Sequence, residues 1–397
     1  MRYKIETERT ELFDVNMMIV MKVVLDKDID FDLLEKAFRS TCDLSEIFRT
    51  KVIIESDGSA YYVDNDHHRN TIEISDLSLN DLICQNEKER FKIENGEFLR
   101  VFYTTEGLIF MMHHLGGDGK SLLRFIEGFL TLLSGDNIEP LTFRNTTLDE
   151  ISKASKVPLF YKFYVDRWNK RWRSNKTVFD YKDMDRAYDH FWRDHKTVTS
   201  VSHYHKDELD RLLSEAKRSG VSLTSYLIAK WAKDTAGKIS IGLAIDAGDK
   251  SHSMGNQVTG IAVRYKYSHN RSLEYNARKI HSMIRKQLSD RFSYFRPLLI
   301  VGMMDPSLID TLCLESAGVY KDNITNGYLE QMGYGSKSRD ISVSNLMRID
   351  IRTDYGNFRI EDMVFIPPVV SYVKDVVGIL TINDTLVISR HSSVNEL

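Results

Sequence analysis

Short apolar runs and helix-like spacings alternate along the chain, and they meet most sharply at residues 108–130. Residues 108–112, Leu-Ile-Phe-Met-Met, form an apolar run that predicts a buried strand. After residue 119 the apolar positions are 122, 125, 126, 129 and 130, which is the spacing of an amphipathic helix. Two histidines and three glycines fall between the two patterns, at residues 113–119. The sequence therefore predicts a strand, a tight turn and a helix whose first N–H groups lie at a sheet edge.

The side chains of this turn suit proton transfer. Neighbouring strand residues point to opposite faces, so only one of His113 and His114 can reach a cleft and the other faces packing. A neutral imidazole can take a proton from a hydroxyl or an amine near neutral pH. The N–H of Gly119 is a candidate oxyanion donor, and Asp118 can orient the turn. Together these groups favour acyl transfer without a protein nucleophile.

The residues His113-His114-x-x-x-Asp118-Gly119 match in full the HHxxxDG motif of the chloramphenicol-acetyltransferase-like superfamily. That group includes condensation domains of nonribosomal peptide synthetases, plant BAHD acyltransferases and polyketide-associated acyltransferases. The resemblance implies an α/β (α+β) fold of two lobes, with mixed, mostly antiparallel sheets flanked by helices and an active-site tunnel between the lobes. It also implies His114 as general base, a thioester of coenzyme A or phosphopantetheine as donor, and no bound cofactor or metal.

The remaining pattern fits two such lobes. We expect an N-terminal lobe over residues 1–165, a connection rich in charged and aromatic residues over 166–196, and a C-terminal lobe over 197–397. Strands are predicted at 17–25, 98–103, 198–204, 239–245, 341–346, 376–382 and 386–389, and helices at 31–38, 206–219, 223–236 and 272–290. Asp30 and Ser222 are predicted helix caps.

Two weaker resemblances lie in the second lobe. Residues 254–264 resemble a degenerate form of the family's GxFVNTLPLR element, and residues 341–346 resemble its SNLG strand. We therefore expect Asn256, Ser344 and Asn345 to bind substrate. We expect Arg264 to be structural and to form a buried ion pair with Asp118.

Composition sets the broad class. The chain has 397 residues, is 42% hydrophobic and 28% charged, and carries a formal net charge of −3, which implies no general affinity for nucleic acid. Its three cysteines are far apart and have no metal spacing, so a reducing cytoplasm is the expected location. No apolar run approaches the roughly 20 residues that span a bilayer.

Several alternatives stay open on the residues alone. His114 and Asp118 could bind a metal, the histidine pair could be mere packing, and His67 and His68 could lie in a solvated loop. We expect a stand-alone O- or N-acyltransferase that uses acyl-CoA or an acyl carrier protein and a small-molecule acceptor. The alternatives are an amide-forming peptide condensation enzyme and a non-catalytic carrier-docking module. Residues 162–176 carry six cations against one acid, and Arg167 and Arg171 are candidates for donor docking there.

Overall fold

The computed structural model describes residues 2–248, 253–322, 325, 340–371 and 373–395. Its helices, within those residues, are α1 (Thr10–Phe13), α2 (Phe31–Leu44), α3 (Leu79–Glu87), α4 (Gly119–Leu133), α5 (Leu148–Ala154), α6 (Leu159–Arg173), α7 (Tyr181–Asp194), α8 (Lys206–Arg218), α9 (Leu223–Ala232), α10 (Leu273–Ser289), α11 (Arg291–Met303) and α12 (Pro306–Ser316). Its strands are β1 (Arg2–Lys4), β2 (Met18–Leu25), β3 (Thr50–Ile54), β4 (Ala60–Asp64), β5 (Thr71–Ile74), β6 (Leu99–Thr104), β7 (Gly107–His113), β8 (His195–Tyr204), β9 (Lys238–Asp246), β10 (Val258–Lys266), β11 (Ile341–Arg348), β12 (Ile360–Ile366), β13 (Asp375–Ile382) and β14 (Thr385–Asn395).

The predicted helix caps are present. The Asp30 carboxylate accepts the N–H groups of residues 32 and 33 at the start of α2, and the Ser222 hydroxyl accepts that of Ser225 in α9. One predicted end was wrong, because α9 stops at Ala232, ahead of the Gly237 that the pattern used as its limit. Local polar residues therefore set where the helices begin more sharply than where they end.

One sheet delivers the motif. Its strand order is β12-β2-β7-β6-β5, with β7 at the centre and antiparallel to both β2 and β6. Every residue of β7 from Leu108 to His113 is buried; α4 packs against the neighbouring strand β2, and α2 packs against α4. The motif hairpin, β6 and β7, lies where the sequence predicted it.

A strand from late in the chain completes that sheet. β12 pairs antiparallel with β2, with Phe365 opposite Met21, so residues near 360 belong to the same sheet as residues near 20. The predicted lobe boundaries at residues 165 and 196 stay a prediction. The pairing of β12 with β2 shows that this sheet contains strands from both predicted lobes.

The second large sheet has the order β10-β9-β11-β13-β14-β8. β11 is parallel to both β9 and β13, and the other neighbours are antiparallel. A smaller sheet of β1, β4 and β3 lies beside the first. This mixed, mostly antiparallel α/β architecture confirms the predicted fold class.

The predicted connection is mainly helical. The second half of α6 and all of α7 lie in it. α6 is anchored by Trp172, which is fully buried and donates its indole N–H to the Ser307 hydroxyl at 2.8 Å. Among the described residues, no single helix has the length and apolar composition to cross a membrane. α11 and α12 reach that composition only as a pair, bent by 105° at their junction.

Candidate active site

The motif turn joins β7 directly to α4. β7 ends at His113, a 3₁₀ turn covers His114–Gly116, and α4 begins at Gly119. Gly117 has a φ of 142°, and a Cβ at this position would lie 2.5 Å from the Cβ of Ser121. A side chain at Gly117 is therefore excluded by both the backbone and the available space. The end of the strand consequently lies against the N-terminus of the helix.

His113 lies on the packed side of the strand. It is 3% exposed, its Nδ1 accepts the Leu115 N–H at 3.1 Å, and its ring meets the edge of Phe91 at 5.8 Å. Burial lowers the pKa of His113 to about 3, with a further contribution from His114, so the ring is neutral. Its Nδ1 lone pair is used to hold the turn.

His114 lies on the opposite, accessible side. Its side chain is 17% exposed, while Nδ1 is fully buried with no hydrogen-bond partner among the described residues. Since Nδ1 is buried, Nε2 is the ring nitrogen left for a substrate to reach. Burial lowers the pKa of His114, against the opposing effects of the Asp118 charge and of its own backbone carbonyl. A neutral ring with an accessible Nε2 can accept a proton near neutral pH.

Asp118 ties the turn to the second half of the chain. Its Oδ1 accepts the Ser121 N–H at 2.9 Å and so caps α4, while Oδ2 accepts the Gln257 N–H at 3.1 Å. The Ser121 hydroxyl donates to the Gly255 carbonyl at 2.8 Å. A Cβ on Gly255, whose φ is 127°, would collide with the carbonyl oxygen of Arg144. Asp118 is thus a structural bridge at the foot of the site.

The expected ion pair between Asp118 and Arg264 was wrong. Arg264 is exposed, lies opposite Ser240 on β9, and forms no ion pair with Asp118. β10 begins just after Gln257, the residue that Asp118 contacts, and a strand advances about 3.4 Å per residue. Arg264, seven residues after Gln257, is consequently about 24 Å further along the strand.

Two glutamates from the N-terminal segment lie against the motif, and the sequence analysis missed both. Glu8 is 3% exposed, and the Glu11 side chain is 14% exposed, with Oε2 at 3.6 Å from Nδ1 of His114. Burial, reinforced by the Asp118 charge, raises the pKa of Glu8 to about 8. Burial and the charges of Glu8 and Asp118 raise the pKa of Glu11 well above its usual range.

The hydrogen bonds of Tyr62 show how Glu8 is protonated. The Tyr62 hydroxyl oxygen lies 2.9 Å from Oε2 of Glu8 and 3.0 Å from the carbonyl oxygen of Leu115. A tyrosine has one hydroxyl hydrogen, so it cannot donate both to an ionised Glu8 and to the Leu115 carbonyl. Both contacts are satisfied when Glu8 is protonated and donates to the Tyr62 oxygen, which agrees with its raised pKa.

A narrow cleft opens onto the two glutamates. Its volume is about 10 Å³, room for one water-sized group, and Glu8, Glu11, Asn256 and Gln257 are among its lining residues. Asn256 is 6% exposed; its Nδ2 donates to Oε1 of Glu11, and its Oδ1 accepts the Val258 N–H at 3.0 Å. The Asn256 amide is therefore occupied by its hydrogen bond to Glu11. A direct role of Asn256 in substrate binding stays a prediction.

Gly119 lies at the first position of α4 under two apolar side chains. A Cβ there would lie 3.0 Å from a ring carbon of Phe365 and 3.1 Å from a methyl carbon of Leu346. Only glycine leaves both side chains undisturbed. The strands β12 and β11, which carry them, thus close over the helix N-terminus.

The other predicted binding residues lie on β11. Ser344 and Asn345 are half-buried. Asn345 donates to the Thr224 hydroxyl at 2.9 Å and accepts the Met347 N–H at 2.7 Å. These bonds hold the end of the strand, and the binding roles of both residues stay predictions.

The candidate docking residues lie on α6. Arg167 and Arg171 are both exposed, on a helix whose first turns also expose Phe160 (58%) and Phe163 (62%). Their role in donor docking stays a prediction. Within the part of the chain that the structure describes, no three His, Cys, Asp or Glu side chains are grouped closely enough to bind a metal ion.

Comparison with solved structures identifies the fold. The first condensation domain of the calcium-dependent antibiotic synthetase, in complex with a substrate analogue, has a TM-score of 0.62 at 11% identity, over 97% of this chain and 87% of that one. Polyketide synthase associated protein 5 from Mycobacterium tuberculosis has a TM-score of 0.59 at 13% identity, over 97% and 92%.

A third similar structure is the starter condensation domain of rhizomide synthetase, a mutant in complex with C8-CoA and Leu-SNAC. Its TM-score is 0.59 at 12% identity, over 98% of this chain and 88% of that one. No family model matches the sequence, and no curated protein matches it either. The chain therefore has the fold of condensation domains.

Proposed function

We propose that this protein is an acyltransferase that moves an acyl group from a thioester to a hydroxyl or amine acceptor, with His114 as general base. The observation that supports it most directly is the placement of His114, whose accessible Nε2 edge lies beside the N-terminus of α4. The same fold holds C8-CoA and Leu-SNAC in the rhizomide synthetase domain. That precedent supports a thioester donor on coenzyme A or on a carrier protein.

The reaction would be a direct transfer. The acceptor oxygen or nitrogen attacks the thioester carbonyl while its proton moves to Nε2 of His114. The N–H of Gly119 donates to the oxyanion that forms. When the intermediate collapses, the carbon–sulfur bond breaks and the thiolate takes the proton from His114. Atoms and charge balance without an acyl-enzyme.

Two alternatives belong to the same fold. Amide-forming peptide condensation uses the same chemistry with an amine acceptor on a carrier. A non-catalytic carrier-docking module would keep the fold without transfer. The accessible Nε2 edge of His114 favours a catalytic role over the docking module.

The direct test is a panel of acyl-CoA thioesters of different chain length, each mixed with amine and alcohol acceptors. Free thiol is measured over time, and products are identified by mass. The proposal expects thiol release that depends on acceptor and equals the acylated product formed. Acceptor-independent thiol release would instead indicate a thioester hydrolase, and binding of a carrier protein without turnover would favour the docking module.

A further inference from the structure

We propose that Glu11 is a positioning residue for His114. Its ionised carboxylate accepts a hydrogen bond from Nδ1–H of His114, so the proton stays on Nδ1 and the Nε2 lone pair is free to act as base. The inference rests on the proposed role of His114. It adds a residue that the motif does not contain, supplied by a segment about 100 positions earlier in the chain.

The position of Glu11 is fixed from two sides. It lies on α1, and the segment after α1 is bound to the motif because the His114 N–H donates to the Met17 carbonyl at 2.8 Å. Asn256 donates to Oε1 of Glu11 and is itself held by Val258. Oε2 is therefore the oxygen left to face His114.

Oε2 of Glu11 and Nδ1 of His114 face each other at 3.6 Å. Both atoms are buried, and neither has a hydrogen-bond partner among the described residues. Catalytic hydrogen bonds in free enzymes are often long and tighten when charge develops. When His114 takes the proton of the acceptor it becomes a cation, and Glu11 is the carboxylate beside that cation.

The protonation state of Glu11 decides which nitrogen of His114 is basic. An ionised Glu11 can only accept, so the imidazole proton sits on Nδ1 and Nε2 keeps its lone pair. A protonated Glu11 can donate to Nδ1, which moves the imidazole proton to Nε2 and removes the base. Glu8, by contrast, is hydrogen-bonded to Tyr62.

The surroundings of Glu11 favour its protonated form. Burial raises the pKa of Glu11 most, the charges of Asp118 and Asp14 add to this effect, Glu8 adds to it once ionised, and the Asn256 hydrogen bond lowers the pKa. His114 loses basicity chiefly through burial. We therefore expect the rate to rise with pH as Glu11 ionises.

Glu11→Gln is the decisive variant. Because Asn256 must donate to the amide oxygen, the new NH₂ group faces Nδ1 and donates to it, which fixes the proton on Nε2. We expect kcat to fall by about 10²-fold or more, as for other bases held in the wrong tautomer, with KM within about twofold. Glu11→Ala, whose side chain cannot donate a hydrogen bond to Nδ1, should lose less activity. It should also shift the rise of the pH–rate profile to lower pH. Glu11→Asp, which keeps the carboxylate, should recover part of the rate.

A second measurement needs no substrate. In ¹⁵N-histidine-labelled protein, the His114 resonances, assigned by their loss in His114→Ala, report which nitrogen carries the proton. At alkaline pH, where Glu11 is ionised, we expect Nδ1–H in the wild type and Nε2–H in Glu11→Gln. The matched variant Glu139→Gln, at an exposed position, should show no change. An Nε2–H tautomer in the wild type, or full kcat in folded Glu11→Gln, would overturn the inference. Expected tautomers without turnover on any thioester would instead refute the proposed function alone.

Discussion

Glu8→Gln should make the protein more stable at alkaline pH, because the variant copies the protonated form of Glu8. The glutamine NH₂ can donate to the Tyr62 oxygen as the Glu8 hydroxyl does, so the bond from Tyr62 to Leu115 is kept. The variant cannot ionise. It therefore separates the hydrogen bond of Glu8 from the cost of its charge.

The magnitude follows from the shift in pKa. The folded-state pKa of Glu8 is raised from 4.5 to about 8, so the folded protein holds this proton over a pH window in which the unfolded chain has lost it. Wild-type stability consequently falls as pH rises from 4.5 to 8. Each pH unit corresponds to about 1.4 kcal/mol, so the whole window corresponds to about 5 kcal/mol. For a chain of this length that is a difference in Tm of roughly 6 °C.

Thermal and urea unfolding of the wild type and Glu8→Gln, measured from pH 5 to 9, would show this effect. Stability of the variant relative to the wild type should increase by about 1.4 kcal/mol per pH unit up to pH 8 and then level off. In the control variant Glu139→Gln, at an exposed position, the stability should depend on pH as it does in the wild type. A constant difference between wild type and Glu8→Gln at every pH would show that Glu8 is already ionised in the folded protein, and the reasoning would be refuted.

Three further outcomes are expected. Asp118→Asn should lower the free energy of unfolding by about 1–3 kcal/mol in urea titrations. The new NH₂ group would face the Gln257 N–H, which now donates to Oδ2 of Asp118. An unchanged free energy of unfolding would mean that this bridge is dispensable. His113→Ala should cost about 1–3 kcal/mol from the unpaired Leu115 N–H alone, whereas a stable but inactive variant would reverse the assignment of the two histidines. Arg167→Glu with Arg171→Glu should raise KM for the thioester more at low salt than at high salt while kcat stays unchanged, and an unaffected KM at low ionic strength would remove α6 from donor docking.

The sequence predicted those parts of the site that depend on near neighbours in the chain. The apolar run before His113, the glycines after it and the helical spacing after Gly119 determine the strand, turn and helix locally. Alternation along the strand also predicted that one of the two histidines faces packing, and the structure shows that this is His113.

The parts that the sequence did not predict depend on distant segments. Glu8 and Glu11 lie in a short, charged stretch that is typical of a solvated surface. They are buried because distant residues, among them Tyr62, His114 and Asn256, lie against them. Arg9, in the same stretch, pairs in the core with Asp310 at 2.6 Å, across 301 positions of sequence. The Leu12 and Phe13 that follow gave the only local hint that this segment is packed.

The predicted partner of Asp118, Arg264, was wrong because this contact also depends on a distant segment of the chain. A sequence pattern identifies side chains of opposite charge, whereas the observed partner is the backbone N–H of Gln257. Backbone groups carry no sequence signature, so bridges of this kind emerge only from the folded chain.

The central claim is that His114 is the base of an acyl transfer, and single-turnover kinetics of His114→Ala test it most directly. With a thioester and acceptor that the wild type uses, we expect the transfer step to slow by about 10²-fold or more, with unchanged thioester affinity and Tm. A folded His114→Ala that transfers the acyl group at the wild-type rate would contradict the account.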